Sequence, residues 1–417
     1  MKILFVNLLD DPADGGGAEV TIKNLMLGLK QQGSEPMILS TSATPGLHET
    51  ERDGLRVWRA GIRNLYWPGK TVRPHAHWRR LWHLIDSYNP LMQGYLRRVI
   101  AIERPDVISL HNLPGWSSAT WQTVYRAGIP SVQVLHDQYA LCPSSAMFKH
   151  GRNCASQCPS CRLLRLPHRA LSRKVGAVVG VSRFILDRHL SFGYFANVPV
   201  QTVIHNARDA QALGLDTADQ VPKPHTGIRI GFIGRLDLTK GIDRLIAAFE
   251  SLDLPASELW IAGSGKADHE AALRALARSP KVRFLGRLAP RDFYPEVDVV
   301  AAPSVWNDTL PGVVFEALAF GKPVLGSTRG GIPEMIQNGV NGFLFDPDDP
   351  HALRDLLARL AAHPEQLRVM SSAARVSAVP FLDMRRWVTD YLNLYQRLID
   401  QRGSAPSSSH GVARAKS

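Results

Sequence analysis

The chain has 417 residues, of which 45% are hydrophobic and 21% charged, and its formal net charge is +12. This composition excludes disordered and fibrous proteins and predicts two or three globular domains. Residues 1–204 hold 24 Lys and Arg against 13 Asp and Glu, whereas the remainder holds 25 against 24. We therefore expect an anionic partner at the N-terminal half.

The first segment, KILFVNLL, predicts a buried strand rather than a signal peptide, because acidic residues follow it at once. A glycine loop, an amphipathic helix (VTIKNLMLGLKQQG) and a second strand (PMILST) complete a βαβ unit. Apolar strands return at DVISLHN, SVQVLHD and VGAVVGVS. This alternation is typical of a doubly wound parallel sheet. No apolar run is long enough to span a bilayer, so a cytoplasmic protein is expected.

A polar stretch, residues 207–226, reads as a linker, after which the same alternation restarts at IRIGFIGRL and continues to GFLFD. We predict an α/β protein with two Rossmann-like domains, residues 1–206 and 227–380, and a cleft between them. A helix over 381–402 is expected to pack back on the N-terminal domain, and residues 403–417 are expected to form a disordered tail.

Several motifs follow predicted strands, where the ligands of parallel sheets bind. Gly16 and Gly17 lie in GGGAE, which lacks the spacing of a dinucleotide fingerprint, and His136 ends the strand VQVLH. Arg235 and Lys240 lie in GRLDLTKG and are spaced to straddle a diphosphate near a helix N-terminus. A flexible turn, a structural histidine and a solvated basic loop are the respective alternatives.

Two carboxylates, Asp308 and Glu316, flank a turn at the start of a helix in WNDTLPGVVFEALAFGKPV. They indicate either a ligand site or a helix cap with a solvated acid. A further acidic stretch, DPDDP (346–350), is expected to cap the next helix rather than to bind a metal.

The order of these motifs, with IAGSG, FLGRL, GKPV and GGIPE, resembles the retaining GT-B glycosyltransferases of family 4 from Met1 to about Gln401. The resemblance implies that Arg235 and Lys240 hold the diphosphate of a UDP- or GDP-sugar. It implies that Glu316 accepts the ribose hydroxyls, that His136 contacts the donor sugar, and that transfer needs no cofactor. The remaining implied donor contacts are Gly16, Gly17, Gly234, Gly263, Leu288, Pro311, Gly312, Val313 and Val314. Glu334, in GGIPE, is expected to order its loop.

Position 308 departs from the family, which usually has Glu there. The shorter Asp308 implies an altered donor sugar or a shifted loop.

The four cysteines, Cys142, Cys154, Cys158 and Cys161, have the spacing C-x₁₁-C-x₃-C-x₂-C. In a cytoplasmic protein persistent disulfides are not expected, whereas a thiolate cluster suits a structural zinc. Structural zinc and free thiols stay open as equal alternatives.

Between Arg52 and Arg104 the chain interleaves cations with aromatic residues, a pattern that favours an anionic membrane surface over nucleic acid. A soluble basic face is the alternative. We expect a retaining glycosyltransferase, peripheral on the inner face of the cytoplasmic membrane, that extends a lipid-linked glycan of lipopolysaccharide or exopolysaccharide. The pathway rests on the resemblance and on the basic aromatic surface. A small soluble acceptor, or a nucleotide-sugar-binding protein without strong catalysis, are the rival hypotheses.

Overall fold

A computed structural model describes residues 1–11, 16–69, 74–215, 225–254 and 256–403. The N-terminal domain begins with a βαβ unit, as predicted. Its elements are β1 (Lys2–Val6), α1 (Gly17–Gln31), β2 (Glu35–Ser42), β3 (Leu47–Arg52), β4 (Leu55–Gly61), α2 (Ala76–Ser87), α3 (Gln93–Glu103), β5 (Val107–Leu110), α4 (Ala119–Arg126), β6 (Ser131–Leu135), β7 (Phe148–Lys149), β8 (Arg152–Asn153), α5 (Pro159–Leu164), α6 (Leu166–Leu171), β9 (Ala177–Gly180), α7 (Arg183–Ser191), β10 (Val200–Val203) and α8 (Ala210–Leu213).

Eight of these strands form one sheet in the order β10-β9-β6-β5-β1-β2-β4-β3. Every pairing in it is parallel except that of β3 with β4. The central strand β1 is fully buried from Ile3 to Val6, as expected for a strand covered by helices on both faces. The antiparallel edge was not predicted, because β3 (LHETER) is polar and half of its pattern reads as loop.

The C-terminal domain is a second doubly wound unit. Its elements are β11 (Arg229–Ile233), α9 (Ile242–Glu250), β12 (Glu258–Ala262), α10 (Ala267–Leu276), β13 (Val282–Gly286), α11 (Pro290–Phe293), β14 (Val299–Ala302), α12 (Gly312–Ala319), β15 (Val324–Ser327), β16 (Gly342–Phe345), α13 (Ala352–Ala362), α14 (Glu365–Leu382) and α15 (Met384–Gly403). Its six strands are all parallel, in the order β13-β12-β11-β14-β15-β16. The predicted pair of Rossmann-like domains is thereby confirmed.

The last helix returns to the N-terminal domain. On α15, Val388 packs against Gly28 of α1, and the Tyr395 hydroxyl donates to Ser109 Oγ at 2.9 Å. Within the described ranges, no helix is long and apolar enough to cross a membrane. The tail from residue 404 and the linker segment 216–224 lie outside the described residues.

Candidate functional site

A cavity of about 1140 Å³ opens between the two domains, at the carboxyl ends of the central strands of both sheets. Most of the residues predicted from the sequence line it together. They are Gly16, Gly17, His136, Gly234, Arg235, Lys240, Asp308, Pro311, Gly312, Val313 and Glu316. Residues separated by up to 300 positions in sequence therefore line one space, as expected for a ligand site of parallel sheets.

The loop between β11 and α9 carries the two predicted cations. Gly241 adopts φ +71°, and a Cβ there would lie 2.0 Å from the Pro303 carbonyl oxygen, so only glycine fits this close approach. Arg235 is exposed at the cavity wall, and no carboxylate in the described ranges lies within ion-pair distance of it. Its guanidinium is therefore available to an anionic ligand.

Lys240 is held by Asp308. Its Nζ forms a hydrogen-bonded ion pair with Asp308 Oδ2 and lies 5.6 Å from the centre of the Trp306 ring. The backbone of Asp308 is fixed as well, because its carbonyl accepts a 2.8 Å hydrogen bond from Gly331 N–H. The pair places a carboxylate and an ammonium at the cavity wall, each with less than a quarter of its side chain exposed.

Glu316 projects from α12 toward a cation that the sequence analysis did not identify. Its Oε1 lies 3.8 Å from Arg208 Nε, and the Tyr294 hydroxyl donates to its Oε2 at 3.3 Å. Burial raises the pKa of Glu316, while Arg208 and Tyr294 oppose that shift. The carboxylate thus depends on Arg208 for its charge compensation.

Arg208 connects the two domains. Its Nη1 donates to Thr21 Oγ1 of α1 at 2.9 Å, and its backbone N–H donates to Phe381 O at the end of α14 at 2.8 Å. The guanidinium lines the cavity. The sequence offered one indication of a role for Arg208, namely its position after β10 in HNARD. No local pattern indicates that the chain crosses the cleft there.

His136 is held by a second histidine, His111, which the sequence analysis also missed. His136 Nε2 and His111 Nδ1 are 2.8 Å apart, and the other ring nitrogen of His111 is 3.0 Å from Ser109 Oγ. Burial lowers the pKa of His136 to about 4, and Arg208 acts in the same direction. At neutral pH His136 is therefore an uncharged ring whose tautomer depends on its hydrogen bond with His111.

Three predicted donor contacts do not line the cavity, namely Gly263, Leu288 and Val314. Gly263 packs beneath the loop, where a Cβ would lie 1.8 Å from Gly234 O, and Val314 is fully buried in the core. Leu288 lies on the surface, 37% exposed. Pro311 lines the cavity but has no N–H, so any amide donors at the start of α12 come from Gly312 and Val313.

The glycine loop before α1 is partly occupied by its own chain. The N–H of Gly16 donates to Glu19 Oε2 at 2.7 Å, so the glutamate of GGGAE caps the helix. The amide of Gly16 is thus already bonded, and Gly17 is the first helical residue that faces the cavity.

Glu334 acts across the domain interface rather than only within its own loop. Its two carboxylate oxygens accept the N–H groups of Arg183 and Phe184, at the N-terminus of α7, at 2.7 Å each. His205 Nε2 lies 3.2 Å from Oε2. Although burial acts to raise it, the pKa of Glu334 is lowered, by these hydrogen bonds and by His205. The carboxylate therefore ties the C-terminal domain to the N-terminal one.

The cysteines converge only in part. Cys161 Sγ donates to Cys142 Sγ at 3.6 Å, which lowers the pKa of Cys142 and raises that of Cys161. Over the ranges that the structure describes, no three His, Cys, Asp or Glu side chains come together as metal ligands. The structural zinc therefore stays a prediction from the cysteine spacing.

The acidic stretch 346–350 does not cap α13 in the way predicted. The N-cap residue is His351, which makes no side-chain capping bond, although its own N–H donates to Asp349 Oδ1 at 2.9 Å. Asp346 and Asp348 instead form ion pairs with Arg329.

Two family models match the chain. The model described as "Glycosyl transferase 4-like domain" matches residues 16–207, and the one described as "Glycosyl transferases group 1" matches residues 227–363. A similar relative is a 42.6 kDa protein in the cps region of Klebsiella pneumoniae, 29% identical, with 80% of this chain and 87% of the relative covered.

Solved structures with the same fold span nearly the whole chain. Sucrose-phosphate synthase from Thermosynechococcus elongatus superposes with a TM-score of 0.74 at 19% identity, covering 96% of this chain and 99% of that one. HepE from Anabaena, in complex with UDP, superposes with a TM-score of 0.71 at 19% identity, covering 95% and 100%.

Proposed function

This chain belongs to the group 1 glycosyltransferases of the GT-B fold, and from that premise we propose that it transfers a sugar from a UDP- or GDP-sugar to a glycan, with retention at the anomeric carbon. The observation that carries the proposal is the convergence of Arg235, Lys240 and Glu316 with His136 of the other domain around one cavity. The similar HepE structure contains UDP, which supports a nucleotide donor.

Breaking the bond between an anomeric carbon and a diphosphate places negative charge on the leaving oxygens. Arg235 and Lys240 are positioned to stabilise that charge, because both face the cavity at the N-terminal side of α9. Lys240 is neutralised by Asp308 in the described state. A bound diphosphate would compete with this carboxylate for the ammonium, and Asp308 would then be free to turn toward the sugar.

Glu316 and His136 are proposed to position the donor. The Glu316 carboxylate has an acceptor geometry suited to ribose hydroxyls, while Arg208 and Tyr294 hold its side chain in place. The uncharged His136 ring is fixed by His111 and offers a polar contact to the sugar without competing for the diphosphate. Protein cations supply the counter-charge, so the proposed transfer needs no cofactor.

Donor binding can be tested by thermal shift with UDP, GDP and their glucose or mannose derivatives, since a ligand of the folded state raises the melting temperature. We expect one nucleotide class to stabilise the protein and the Lys240→Ala variant to lose that response. Arg368→Ala, at an exposed site on α14, is the matched control and should keep it. Absence of any stabilisation by either nucleotide, with the wild-type protein folded, would refute the proposal.

The acceptor is proposed to be lipid-linked because of a surface on the N-terminal domain. Helix α2 exposes Trp78, Leu81 and Leu84, and the neighbouring α5 and α6 expose Leu163 and Leu166. The same helices carry exposed arginines: Arg79, Arg80, Arg162 and Arg169. Exposed apolar side chains on helices that also carry cations complement a bilayer with anionic headgroups. The relative in a cps region supports a role in cell-surface polysaccharide synthesis.

Membrane binding can be measured by co-sedimentation with vesicles of phosphatidylglycerol or of neutral phosphatidylcholine. We expect binding to the anionic vesicles, weakened by salt and by the double change Trp78→Ala/Leu84→Ala. Val369→Ala/Val376→Ala, at two apolar residues on α14 that are more exposed still, is the control. Full transfer activity without lipid, together with no vesicle binding, would favour the rival of a small soluble acceptor. The structural similarity to sucrose-phosphate synthase is the observation that favours this rival hypothesis of a small soluble acceptor.

The second rival, a protein that binds nucleotide sugars without strong catalysis, is separated by a transfer assay. Donor hydrolysis or transfer that is abolished by Glu316→Ala, with the fold intact, excludes it.

A further inference from the structure

A second cavity, of about 1080 Å³, lies between the hairpin β7–β8 and the outer side of the C-terminal domain. It shares only Pro303 with the donor cavity. The segment that follows Pro303 separates the two spaces, and its residues alternate between them. Ser304, Trp306 and Asp308 line the first, whereas Val305 and Asn307 line the second. One short segment is therefore the common wall of both cavities.

The hairpin is docked onto this wall. His150 and Gly151 both have positive φ, +52° and +74°, which is the conformation of a tight two-residue hairpin turn. Beyond the turn, Asn153 Nδ2 donates to Val305 O at 2.8 Å, and Asn153 Oδ1 accepts from Asn307 N–H at 2.9 Å. The Asn153 side chain of the N-terminal domain is thus hydrogen-bonded to the common wall next to Asp308.

The second cavity is strongly cationic. Five arginines line it against two aspartates, an excess of three positive charges, and the arginines come from both domains: Arg152, Arg188, Arg244, Arg329 and Arg354. Apolar residues complete its floor, among them Val305 and Phe345. Neighbouring arginines repel one another unless a negative charge lies between them.

The arginines of the N-terminal domain lack such a counter-charge. Across the described ranges, neither Arg152 nor Arg188 lies within 4.0 Å of a carboxylate oxygen. Arg188 donates through Nη2 to the Cys154 carbonyl and stacks 4.8 Å from the Phe192 ring, yet its buried Nε has no hydrogen-bond partner. A half-buried guanidinium with an unsatisfied N–H is positioned for an anionic acceptor.

The opposing arginines are paired with exposed carboxylates: Arg329 with Asp346 and Asp348, and Arg354 with Asp355. Arg329 pairs with Asp348, and Arg244 Nη1 lies 3.9 Å from the same Asp348 side chain, which is 72% exposed. Arg329 Nε is also buried without a partner. An anion bound between the domains could replace Asp348 at little cost, because Asp348 would regain full hydration.

We propose that this cavity is a second ligand site, selective for a compact ligand with phosphate or carboxylate groups, clamped between Arg188 of the N-terminal domain and Arg244 of the C-terminal domain. An occupant at this position bridges the two domains. It also packs on the wall that carries Asp308. The identity of the donor does not affect this site.

The test is calorimetric titration with inorganic pyrophosphate of protein saturated with UDP. We expect one equivalent to bind, and the affinity to fall by about tenfold for each guanidinium removed in Arg188→Gln and Arg244→Gln. Arg368→Gln should bind normally, and melting curves show whether each variant is folded. Arg152→Gln, at an exposed position of the cavity lining, should weaken binding without any effect on folding.

Failure of the proposed function is distinguished by repeating the titration on the Lys240→Ala variant, whose donor cavity has lost one of its cations. Binding that persists there and disappears in Arg188→Gln/Arg244→Gln supports the second site whether or not UDP binds. No binding, or binding unaffected by the arginine changes, overturns it. Competition by glucose 1-phosphate or by glucuronate identifies phosphate or carboxylate as the recognised group. Equal competition by glucose contradicts anion selectivity.

Discussion

The pair formed by Arg208 and Glu316 offers a quantitative test of the cleft. Replacing Arg208 with Met keeps much of its apolar stem and removes the charge. Two unit charges separated by the observed 3.8 Å interact by about 4 kcal/mol at an effective dielectric constant of 20. Because both side chains are largely buried, we expect Arg208→Met to lower the free energy of unfolding by about 3–5 kcal/mol.

The contribution of the pair itself is isolated by a double-mutant cycle with Glu316→Gln. In the double variant no buried charge remains unpaired, so the coupling free energy should be about 2–4 kcal/mol. The hydrogen bond from Arg208 to Thr21 is lost in both variants that lack Arg208, so its contribution cancels in the cycle. The assay is urea unfolding followed by circular dichroism at pH 8 and pH 5.

The sign of the pH dependence follows from the raised pKa of Glu316. Without Arg208 that pKa rises further, so the folded state holds a proton that the unfolded chain has released. The resulting loss of stability is absent at pH values below the pKa that Glu316 has in the unfolded chain. It grows as the pH rises toward the pKa that Glu316 has in the folded protein. The deficit of Arg208→Met should thus be smaller at pH 5 than at pH 8. A coupling below about 0.5 kcal/mol, or one independent of pH, would refute this account of Glu316.

Three further outcomes are expected. Burial lowers the pKa of His136 to about 4, so this ring should not titrate between pH 5.5 and 8. We therefore expect the wild-type protein and the His136→Gln variant to show the same pH dependence of donor affinity over that range, as measured by calorimetry. Gly330→Ala should lower the free energy of unfolding by about 3 kcal/mol or more, because the new Cβ would lie 1.8 Å from Asp308 O. The control Gly339→Ala, whose Cβ would have no atom within 4 Å, should lose only about 1 kcal/mol in the same urea assay. Diamide should oxidise the adjacent thiols of Cys142 and Cys161 to a disulfide, which peptide mapping detects as a mass loss of two hydrogens. The Cys161→Ser variant should not form this disulfide, whereas the Cys154→Ser variant should.

The amino-acid sequence by itself determined the architecture. Buried parallel strands are continuous apolar runs, and helices between them are amphipathic, so the alternation is readable from neighbouring residues alone. The polar strand β3 escaped this reading, because an edge strand buries little and its pairing with β4 leaves no apolar pattern. Glycine loops after strands likewise placed Arg235 and Lys240 at the carboxyl edge of the second sheet.

Only the tertiary structure decided which groups meet across the cleft. Arg208 reaches Glu316, His111 reaches His136 and Glu334 reaches α7 over separations of 25 to 151 positions, and no local pattern encodes such contacts. The same holds for the arginines of the second cavity, which come from two domains. Periodicity reports which side of an element is buried, whereas the partner of a buried charge depends on how whole domains are placed against each other.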